Sequence, residues 1–245
     1  MSASSLRFNA ARPTDIHRPS LTHRYRHYTK ALAKSLERIS PDLGVSRGAA
    51  VLDYGSADEP YRHLFPEDIE YLGADLPGNS AAAIEINQDG SLPVVGESFD
   101  AVISTQVLEH VADPERYLSE CFRVLKPGGR LLVSTHGMFV YHPDPEDYWR
   151  WTAAGLQAAI RQAGFRIRRL EGVVGLLPMA IQLAQDALYW KLPLRLRPVL
   201  AVVMQSAIAF TDRRYGDDSR RMNASVFIVI AEKPRAGSES AESAA

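Results

Sequence analysis

Short apolar segments of strand length alternate with helix-forming segments along most of the chain, and this alternation limits the fold more than any other feature. Residues 99–104 (FDAVIS) and 225–231 (SVFIVIA) are the clearest of these segments. A segment that is apolar over nearly its whole length is typical of a strand buried on both faces. Strands separated by helices indicate an α/β fold, with a mostly parallel sheet covered by helices on both faces. The seven predicted strands are residues 49–54, 71–74, 82–86, 99–104, 130–135, 165–170 and 225–231.

Helix start and stop signals lie between these strands. Residues 113–115 (DPE) combine an N-cap acceptor, a proline at the first helical position and an acid in the first turn, and residues 126–129 (KPGG) are a stop signal. Thr152 is predicted to cap the next helix. A helix is predicted over residues 22–39 because Tyr25, Tyr28, Leu32 and Leu36 recur at helical spacing, and a further helix is expected to open near Pro60.

Composition indicates one folded domain. The chain has 245 residues, 46% of them hydrophobic, which is enough for a full core but short for two independent domains. Its single cysteine, Cys121, is expected in the core; one cysteine can build neither a disulfide framework nor a cysteine-based zinc site, and no metal site is predicted. With no signal-peptide pattern and no apolar run of ~18 residues, we expect a cytoplasmic protein that is soluble or at most lies on a membrane surface. We predict an irregular arm over residues 1–20, one domain over 21–233 and a disordered tail over 234–245.

Charge is unevenly distributed, although the net charge is only −1. Counting Lys and Arg against Asp and Glu, residues 1–47 carry +6, residues 48–150 carry −12 and residues 151–245 carry +5. The small net charge argues against a nucleic-acid partner. Two interpretations of the distribution remain open. It is an ordinary solvated surface, or the basic arms meet an anionic substrate or membrane while the acidic centre holds a cation.

The turn after the first predicted strand is the strongest indication of a ligand site. Residues 51–60 read VLDYGSADEP, with one glycine where a dinucleotide-binding turn has three. The acids at 53, 58 and 59 would repel a pyrophosphate, which disfavours NAD and FAD and suits a ligand with a positive amine and sulfonium. Asp75 ends the second strand, where a carboxylate accepts hydrogen bonds from ribose hydroxyls.

Three runs resemble class I S-adenosylmethionine-dependent methyltransferases with an LEH and RVLKPGG core. They are residues 51–65 (VLDYGSADEPYRHLF), 71–75 (YLGAD) and 89–135 (DGSLPVVGESFDAVISTQVLEHVADPERYLSECFRVLKPGGRLLVST). The resemblance covers about residues 49–171, half of the chain. It implies a Rossmann-like fold whose seventh strand is antiparallel, S-adenosylmethionine as cofactor, and in-line methyl transfer as the activity.

The same resemblance implies which residues bind the cofactor. Three would line its methionine end, and three others would hold the ribose, the adenine edge and the sulfonium. They are, in that order, Asp53, Gly55 and Ala57, then Asp75, Asp89 and Gln106. Ala57 and Glu59 depart from the glycines usual in the family, and we expect the site to be intact despite this.

The segment after the fifth strand is the predicted acceptor side of the site. Residues 136–152 (HGMFVYHPDPEDYWRWT) combine rigid prolines, aromatic rings and titratable groups at the ligand-binding edge of the sheet. A hydroxyl acceptor benefits from a general base. His142 is the first choice, with Asp147 orienting or replacing it, and His136 is the second.

Several residues are candidates for contacting the acceptor. These four residues are Arg150, Tyr148, Arg24 and Arg26. The arginines are candidates because a guanidinium can bind an anionic group through two hydrogen bonds. The alternative is structural: Trp149 and Trp151 pack the following helix, Asp147 is a local cap, and the LEH triplet stabilises a turn.

Residues 174–210 form an unusually apolar helical insert, which we extend to about residue 222. A helix that is apolar almost all round must be covered. A lid over the domain, a homodimer contact and a membrane-surface element with basic residues all remain open.

These features predict a methyltransferase that modifies an oxygen of a small-molecule, sugar or lipid-linked acceptor. The H-P-x-P-x-D-Y-W-R-W-T run resembles methyltransferases associated with sugar or cell-envelope modification. A non-catalytic S-adenosylmethionine-binding regulator or scaffold is the alternative, and a nucleotide-dependent oxidoreductase is disfavoured by the acidic turn.

Overall fold

The computed structural model describes residues 19–143 and 146–235, and these form one seven-stranded sheet. Its strand order is β3-β2-β1-β4-β5-β7-β6. All neighbours pair in parallel except β7, which is antiparallel to both β5 and β6. The strands are β1 (Ala50–Tyr54), β2 (Glu70–Asp75), β3 (Ile84–Glu85), β4 (Phe99–Thr105), β5 (Leu125–His136), β6 (Arg166–Gly175) and β7 (Ala224–Glu232). The predicted Rossmann-like fold and the antiparallel seventh strand are confirmed.

Six α-helices accompany the sheet within the described residues. They are α1 (Arg26–Ile39), α2 (Pro114–Val124), α3 (Ala153–Gln162), α4 (Leu176–Tyr189), α5 (Arg197–Asp212) and α6 (Asp217–Met222). Both predicted caps are present: the Asp113 side chain accepts from the Arg116 N–H, and Thr152 accepts from the Gly155 N–H. The last three helices lie between β6 and β7, in the region of the predicted insert.

The helix expected near Pro60 is absent from the structure. Only a 3₁₀ turn, Arg62–Leu64, lies between β1 and β2. Only five residues (FPEDI) separate this turn from β2, and Pro66 is the second of them. A proline disfavours helical backbone at the residue before it, which accounts for the early end. The predicted N-terminal arm and C-terminal tail fall mostly on residues 1–18 and 236–245, outside the described residues.

Two apolar layers cover the two faces of the sheet. One contains Leu118, Val124 and Leu156 of α2 and α3, packed on strand residues such as Val102 and Val133. The other joins α1 to the opposite face. In this layer Leu32, Leu36 and Ile39 recur at helical spacing, with Val51 and Ile228 of the sheet in the same cluster.

The strand order reverses between β1 and β4, and this places the ligand-binding edge. In an open α/β sheet a crevice forms beyond the carboxyl ends of the strands at that point. The turn after Tyr54, the loop after Thr105 and the segment after His136 all begin at this edge. Residues far apart in sequence are thereby brought to one site.

Candidate active site

The turn that follows β1 has an unusual backbone. Gly55 has a φ angle of 87°, and the non-glycine residues Ala57 and Glu59 have φ angles of 48° and 54°. A Cβ atom on Gly55 would lie 2.4 Å from Cγ2 of Val107, so this position requires glycine. In the loop after β4, Gln106 has a φ angle of 57°. Positive φ angles at non-glycine residues are uncommon and cluster at ligand sites, so these two loops form a strained rim.

Asp53 is a buried carboxylate near the end of β1, 1% exposed. Its Oδ2 accepts a hydrogen bond from the Tyr71 hydroxyl at 2.6 Å, whereas its Oδ1 and the Oγ of Ser56 are buried without a partner. Burial raises the pKa of Asp53 to about 7; the Tyr71 hydrogen bond opposes this shift, and the carboxylates of Glu59 and Asp75 add to it. Unpartnered buried atoms leave hydrogen-bonding capacity for a ligand, and a cationic ligand would offset the cost of ionising Asp53.

Asp75 ends β2 and is tied to the same turn. Its Oδ2 accepts hydrogen bonds from the Ala57 N–H at 2.9 Å and from Nδ2 of Asn79 at 2.7 Å. Its Oδ1 accepts from the Leu76 N–H at 2.7 Å. Asn79 also donates to the Ala57 carbonyl at 2.6 Å. The carboxylate is therefore held in place, and because an ionised carboxylate has about four acceptor sites, it retains capacity for a further donor.

Asp89 lies in a more exposed loop near the end of β1. The Tyr54 hydroxyl donates to the carbonyl of the adjacent Gly90, which connects the loop to the strand. The Asp89 carboxylate accepts two hydrogen bonds from Ser91 and pairs with Arg116, and its side chain is 50% exposed. These interactions, those with Ser91 foremost, lower the pKa of Asp89. Its role at the adenine edge stays a prediction.

A chain of polar contacts joins α1 to the ends of β4 and β5. The Tyr28 hydroxyl donates to Oε1 of Gln106 at 2.6 Å and lies 3.0 Å from Nε2 of His136. Gln106 also donates from Nε2 to Oγ of Ser134 at 3.1 Å. The His136 ring is 3% exposed and stacks on Phe139 with 4.3 Å between centroids. Gln106 and His136 are thus brought together by a residue of α1.

Glu109 lies behind His136 and is fully buried. Its Oε2 accepts a hydrogen bond from Oγ1 of Thr135 at 2.8 Å, and its Oε1 lies 3.2 Å from Nδ1 of His136 without hydrogen-bond alignment. Burial raises the pKa of Glu109 and lowers that of His136 well below its usual range, the latter with smaller contributions from Arg150 and His142. The imidazole is therefore neutral near pH 7, which is the form that accepts a proton.

Comparison with known proteins shows which proteins this chain is similar to. Residues 57–133 match the family model described as a methyltransferase domain. A probable S-adenosylmethionine-dependent methyltransferase of Mycolicibacterium smegmatis is 39% identical over 88 residues, 34% of each chain. A ubiquinone biosynthesis O-methyltransferase of Cereibacter sphaeroides is 34% identical over 128 residues, 44% of this chain and 50% of that protein. The chain contains a class I S-adenosylmethionine-dependent methyltransferase domain.

The fold of this methyltransferase domain is shared with solved structures. The 1,6-didemethyltoxoflavin-N1-methyltransferase of Burkholderia thailandensis, solved with bound 1,6-didemethyltoxoflavin and S-adenosylhomocysteine, aligns with a TM-score of 0.53 at 15% identity. The alignment covers 84% of this chain and 79% of that one. The chain spans about half or less of the length of the curated relatives described above.

S-adenosylmethionine fits the residues that line the first turn of the methyltransferase domain. The unpartnered Oδ1 of Asp53 and Oγ of Ser56 match a ligand that carries ammonium donors and a sulfonium charge. Asp75 is preordered as an acceptor. A pyrophosphate would face Asp53, Asp58 and Glu59. Within the described residues, no group of three or more His, Cys, Asp or Glu side chains is placed to hold a metal ion.

Arg150 was predicted to bind an anionic group of the acceptor, and in the structure its side chain makes its hydrogen bonds within its own loop. Its Nε donates to the Phe139 carbonyl at 3.0 Å, and Nη1 donates to Oδ1 of Asp147 at 2.6 Å and to the Trp149 carbonyl at 2.8 Å. Nη2 donates to the Val140 carbonyl and to Oδ2 of Asp147. All five donors of the guanidinium are used, so Arg150 is a clamp for its own loop.

Asp147 belongs to this clamp and is not placed as a base. Its carboxylate pairs with Arg150 on both oxygens and accepts the backbone N–H of His142 at 2.6 Å. Although burial opposes it, these bonds lower the pKa of Asp147. A carboxylate with a lowered pKa in a bidentate ion pair is a poor proton acceptor, so its contact with His142 orders the backbone of the loop.

The other predicted acceptor-side residues have different placements. The His142 side chain is on the exposed part of the loop, with its ring centroid 5.9 Å from that of His136. The Tyr148 side chain is 52% exposed, and its backbone N–H donates to the Glu109 carbonyl at 2.8 Å. Arg26 begins α1, with its Nε buried and unpartnered. The acceptor contacts of Tyr148 and Arg26 stay predictions.

Arg24, also predicted to bind the acceptor, contacts the helical insert instead. Its guanidinium lies over the rings of Tyr25 and Trp190 at 4.7 and 5.1 Å. Its backbone carbonyl accepts hydrogen bonds from the side-chain amides of three buried glutamines, Gln182, Gln185 and Gln205. These three glutamines therefore attach the insert to the residues just before α1.

Sequence reasoning missed three residues of the site. Tyr28 was expected only as an apolar position of a helix, Asn79 was not considered, and Glu109 was read as part of a stabilising turn. The alternative that Trp149 and Trp151 pack against the following helix is correct for Trp151, which packs in the same apolar cluster as Leu156 of α3. A glutamate four residues after the end of β4 and a histidine at the end of the neighbouring β5 are the signal that points to the Glu109–His136 pair.

Replacing Arg150 with lysine is expected to lower the free energy of unfolding by about 1.5–3 kcal/mol, the range for hydrogen bonds to charged groups. Lysine keeps the charge but cannot reach three carbonyls and a carboxylate together. Urea denaturation measures the loss, and limited proteolysis should show faster cleavage within residues 139–150. Arg161→Lys is the matched control, because this exposed arginine of α3 makes one side-chain hydrogen bond. Equal stabilities for the two variants would contradict the clamp.

Proposed function

We propose that this chain transfers the methyl group of S-adenosylmethionine to a hydroxyl oxygen of a small-molecule, sugar or lipid-linked acceptor. The observation that carries the proposal is the buried imidazole of His136, placed between Glu109 and Tyr28 at the edge of the sheet that holds the cofactor turn. A hydroxyl needs to lose its proton as it is methylated, and a neutral imidazole backed by a carboxyl group is suited to receive it.

The residues of the first turn hold the cofactor in this proposal. When bound, S-adenosylmethionine supplies an electrophilic methyl group on a positively charged sulfur. Asp53 provides the negative charge that favours a cationic ligand, and Asp75 accepts hydrogen bonds from the ribose. Gln106, fixed by Tyr28 and Ser134, borders the reacting centre. Positioning of this kind contributes up to about 7–11 kcal/mol to rate acceleration in the most favourable intramolecular reactions.

His136 receives the acceptor's proton at Nε2. The Tyr28 hydroxyl already lies at hydrogen-bond distance from this atom, and its hydrogen is free to rotate between partners. Glu109 balances the charge of the imidazolium that forms, as a carboxyl group does for the histidine of hydrolytic triads. This assignment places the base at the second choice from the sequence, because His136 is buried beside Gln106 whereas His142 is on the exposed loop.

The names of the curated relatives support oxygen as the methylated atom. Several of them are ubiquinone biosynthesis O-methyltransferases, 30–34% identical over 128–144 residues. Fold similarity alone does not select the acceptor, because the same fold hosts many substrates.

The test is transfer of a labelled methyl group from S-adenosylmethionine to fractionated metabolite and lipid extracts. We expect label in at least one fraction, in a product whose ether bond resists mild base, and much less label with His136→Gln. Binding of S-adenosylhomocysteine without transfer to any fraction would contradict the enzyme assignment and favour a non-catalytic cofactor-binding protein. A labelled methyl group found on a nitrogen or sulfur atom of the product would contradict the hydroxyl acceptor.

A further inference from the structure

Helix α4 presents an entirely apolar surface to solvent. Its exposed residues are Leu176, Leu177, Ala180, Leu183, Ala184, Ala187 and Leu188. They recur every three to four residues and so lie on one side of the helix. The side chains of Leu177 and Leu188 are each 48% exposed. A solvated helix face normally carries charged and polar residues, and this one carries none.

Helix α5 lies against α4 and continues this surface. Its exposed residues are Pro198, Val199, Val202, Val203, Ser206 and Phe210, again at helical spacing. The one hydroxyl among them, that of Ser206, is satisfied by the Val202 carbonyl at 2.7 Å. Val199 and Val203 are each 60% exposed. We call the exposed sides of α4 and α5 together the apolar face.

The polar sides of both helices are already bound to the domain. Gln205 donates to Gln182, Gln185 and the Arg24 carbonyl, and it accepts the His27 N–H at the start of α1. Asp212 contacts the His27 ring at 2.9 Å. By length and composition Leu194–Asp212 could cross a bilayer, with a mean hydropathy of 1.3 and 17% of the stretch buried. Because this buried polar side is attached to the domain, the helices are suited to lie along a surface.

Both ends of the apolar face carry arginine next to an aromatic ring. At one end Arg197 lies over Trp190 at 4.9 Å, with Lys191 and Arg195 exposed beside it. At the other end Arg214 lies over Phe210 at 3.8 Å, beside the exposed Arg213. Basic residues with aromatic neighbours are typical of helices that lie at a membrane interface.

No exposed acid balances these charges within residues 176–215. The two acids of this stretch, Asp186 and Asp212, are turned inward, at 9% and 10% side-chain exposure. If two copies of the chain paired through the apolar face, basic ends would meet basic ends in either orientation. An anionic surface is complementary to both ends and to the apolar side chains between them.

From this complementarity we propose that α4 and α5 dock in the interface of an anionic lipid bilayer, with the apolar face inserted and the basic ends on lipid headgroups. Trp190 then lies in the headgroup region. From there Arg24, Tyr25 and Phe139 follow one another to His136, with 5.6 Å between the Tyr25 and Phe139 centroids. Delivery of a lipid-linked acceptor along this path rests on the proposed function, whereas docking itself does not.

Flotation with vesicles tests the docking. The full chain is mixed with vesicles of phosphatidylcholine alone or of phosphatidylcholine with phosphatidylglycerol, at low and high salt. We expect flotation with the anionic vesicles that weakens with salt, and little with the neutral ones. Lys191→Glu with Arg195→Glu should weaken binding at least about tenfold, since each basic residue near an anionic surface contributes about fivefold. Val199→Asp with Val203→Asp should abolish it.

Matched controls use exposed residues elsewhere in the chain. Val95→Asp replaces an 80% exposed valine far from α5 in sequence, and Lys34→Glu reverses an exposed charge on α1; both should float like the unchanged chain. Circular dichroism confirms that each variant is folded. Absence of flotation with anionic vesicles at low salt would overturn the proposal. So would a dimer in sedimentation equilibrium that Val199→Asp with Val203→Asp converts to a monomer, because a second copy would then cover the face.

Discussion

Replacement of His136 with glutamine is expected to lower kcat by about 10²- to 10⁴-fold, the usual contribution of a general base. The affinity for S-adenosylhomocysteine should remain unchanged, because His136 contacts Tyr28 and Phe139 and not the turn after β1. Since burial holds the pKa of His136 well below its usual value of 6.5, kcat of the unchanged chain should stay level near neutral pH. The value of kcat should fall only at acidic pH, as the His136 imidazole becomes protonated. Steady-state kinetics across pH measures both effects.

The companion variant His142→Gln separates the two candidate bases. His142 was the preferred base from the sequence, yet its side chain is exposed on the loop held by Arg150. If His136 is the base, the large loss in kcat belongs to His136→Gln. A large loss in His142→Gln together with near-normal turnover of His136→Gln would contradict the account. Tyr28→Phe should also lower kcat, because it removes the hydroxyl that contacts both His136 and Gln106.

Replacement of Asp53 with asparagine is expected to weaken binding of S-adenosylmethionine about 10- to 100-fold. Such a loss corresponds to a charged hydrogen bond of roughly 1.5–3 kcal/mol. Isothermal titration measures it. Asp58→Asn is the matched control, because Asp58 is an exposed acid of the same turn. Equal affinities for Asp53→Asn and the unchanged chain would contradict the role of this carboxylate.

The raised pKa of Asp53 also sets the direction of two pH effects. The carboxyl group has its usual pKa of 3.8 when unfolded and about 7 in the fold, so the folded chain binds the extra proton between these values. The free energy of unfolding contributed by Asp53 therefore decreases as the pH rises through this window, and is constant above it. Cofactor affinity should rise over the same window as the carboxylate ionises. Asp53→Asn should remove both dependences.

Much of the fold followed from local signals. The caps at Asp113 and Thr152 and the apolar strands were predictable because each depends on neighbouring residues. The prediction of a helix near Pro60 was wrong, since only one short 3₁₀ turn lies between β1 and β2. The strand predicted over residues 82–86 spans only Ile84–Glu85 in the structure. It lies at the edge of the sheet and pairs with one neighbour, β2.

The site was predictable only where strand ends carry acids. Asp53 and Asp75 were found because the carboxyl ends of parallel strands meet at one edge. Tyr28 was not, because it reaches the site from a helix 78 residues before Gln106. The loop contacts of Arg150 were not predictable, because a guanidinium that binds a substrate and one that binds its own loop have the same sequence. Their donors had to be accounted for in three dimensions.

We infer that the acids around the turn after β1 select an adenosyl sulfonium over a phosphate-bearing coenzyme. Titration calorimetry of the folded chain with S-adenosylmethionine, S-adenosylhomocysteine and NAD tests it directly. The account predicts saturable binding of the first two, tighter at pH above the Asp53 pKa, and no measurable heat with NAD. Binding of NAD, or no affinity for either adenosyl ligand, would contradict it.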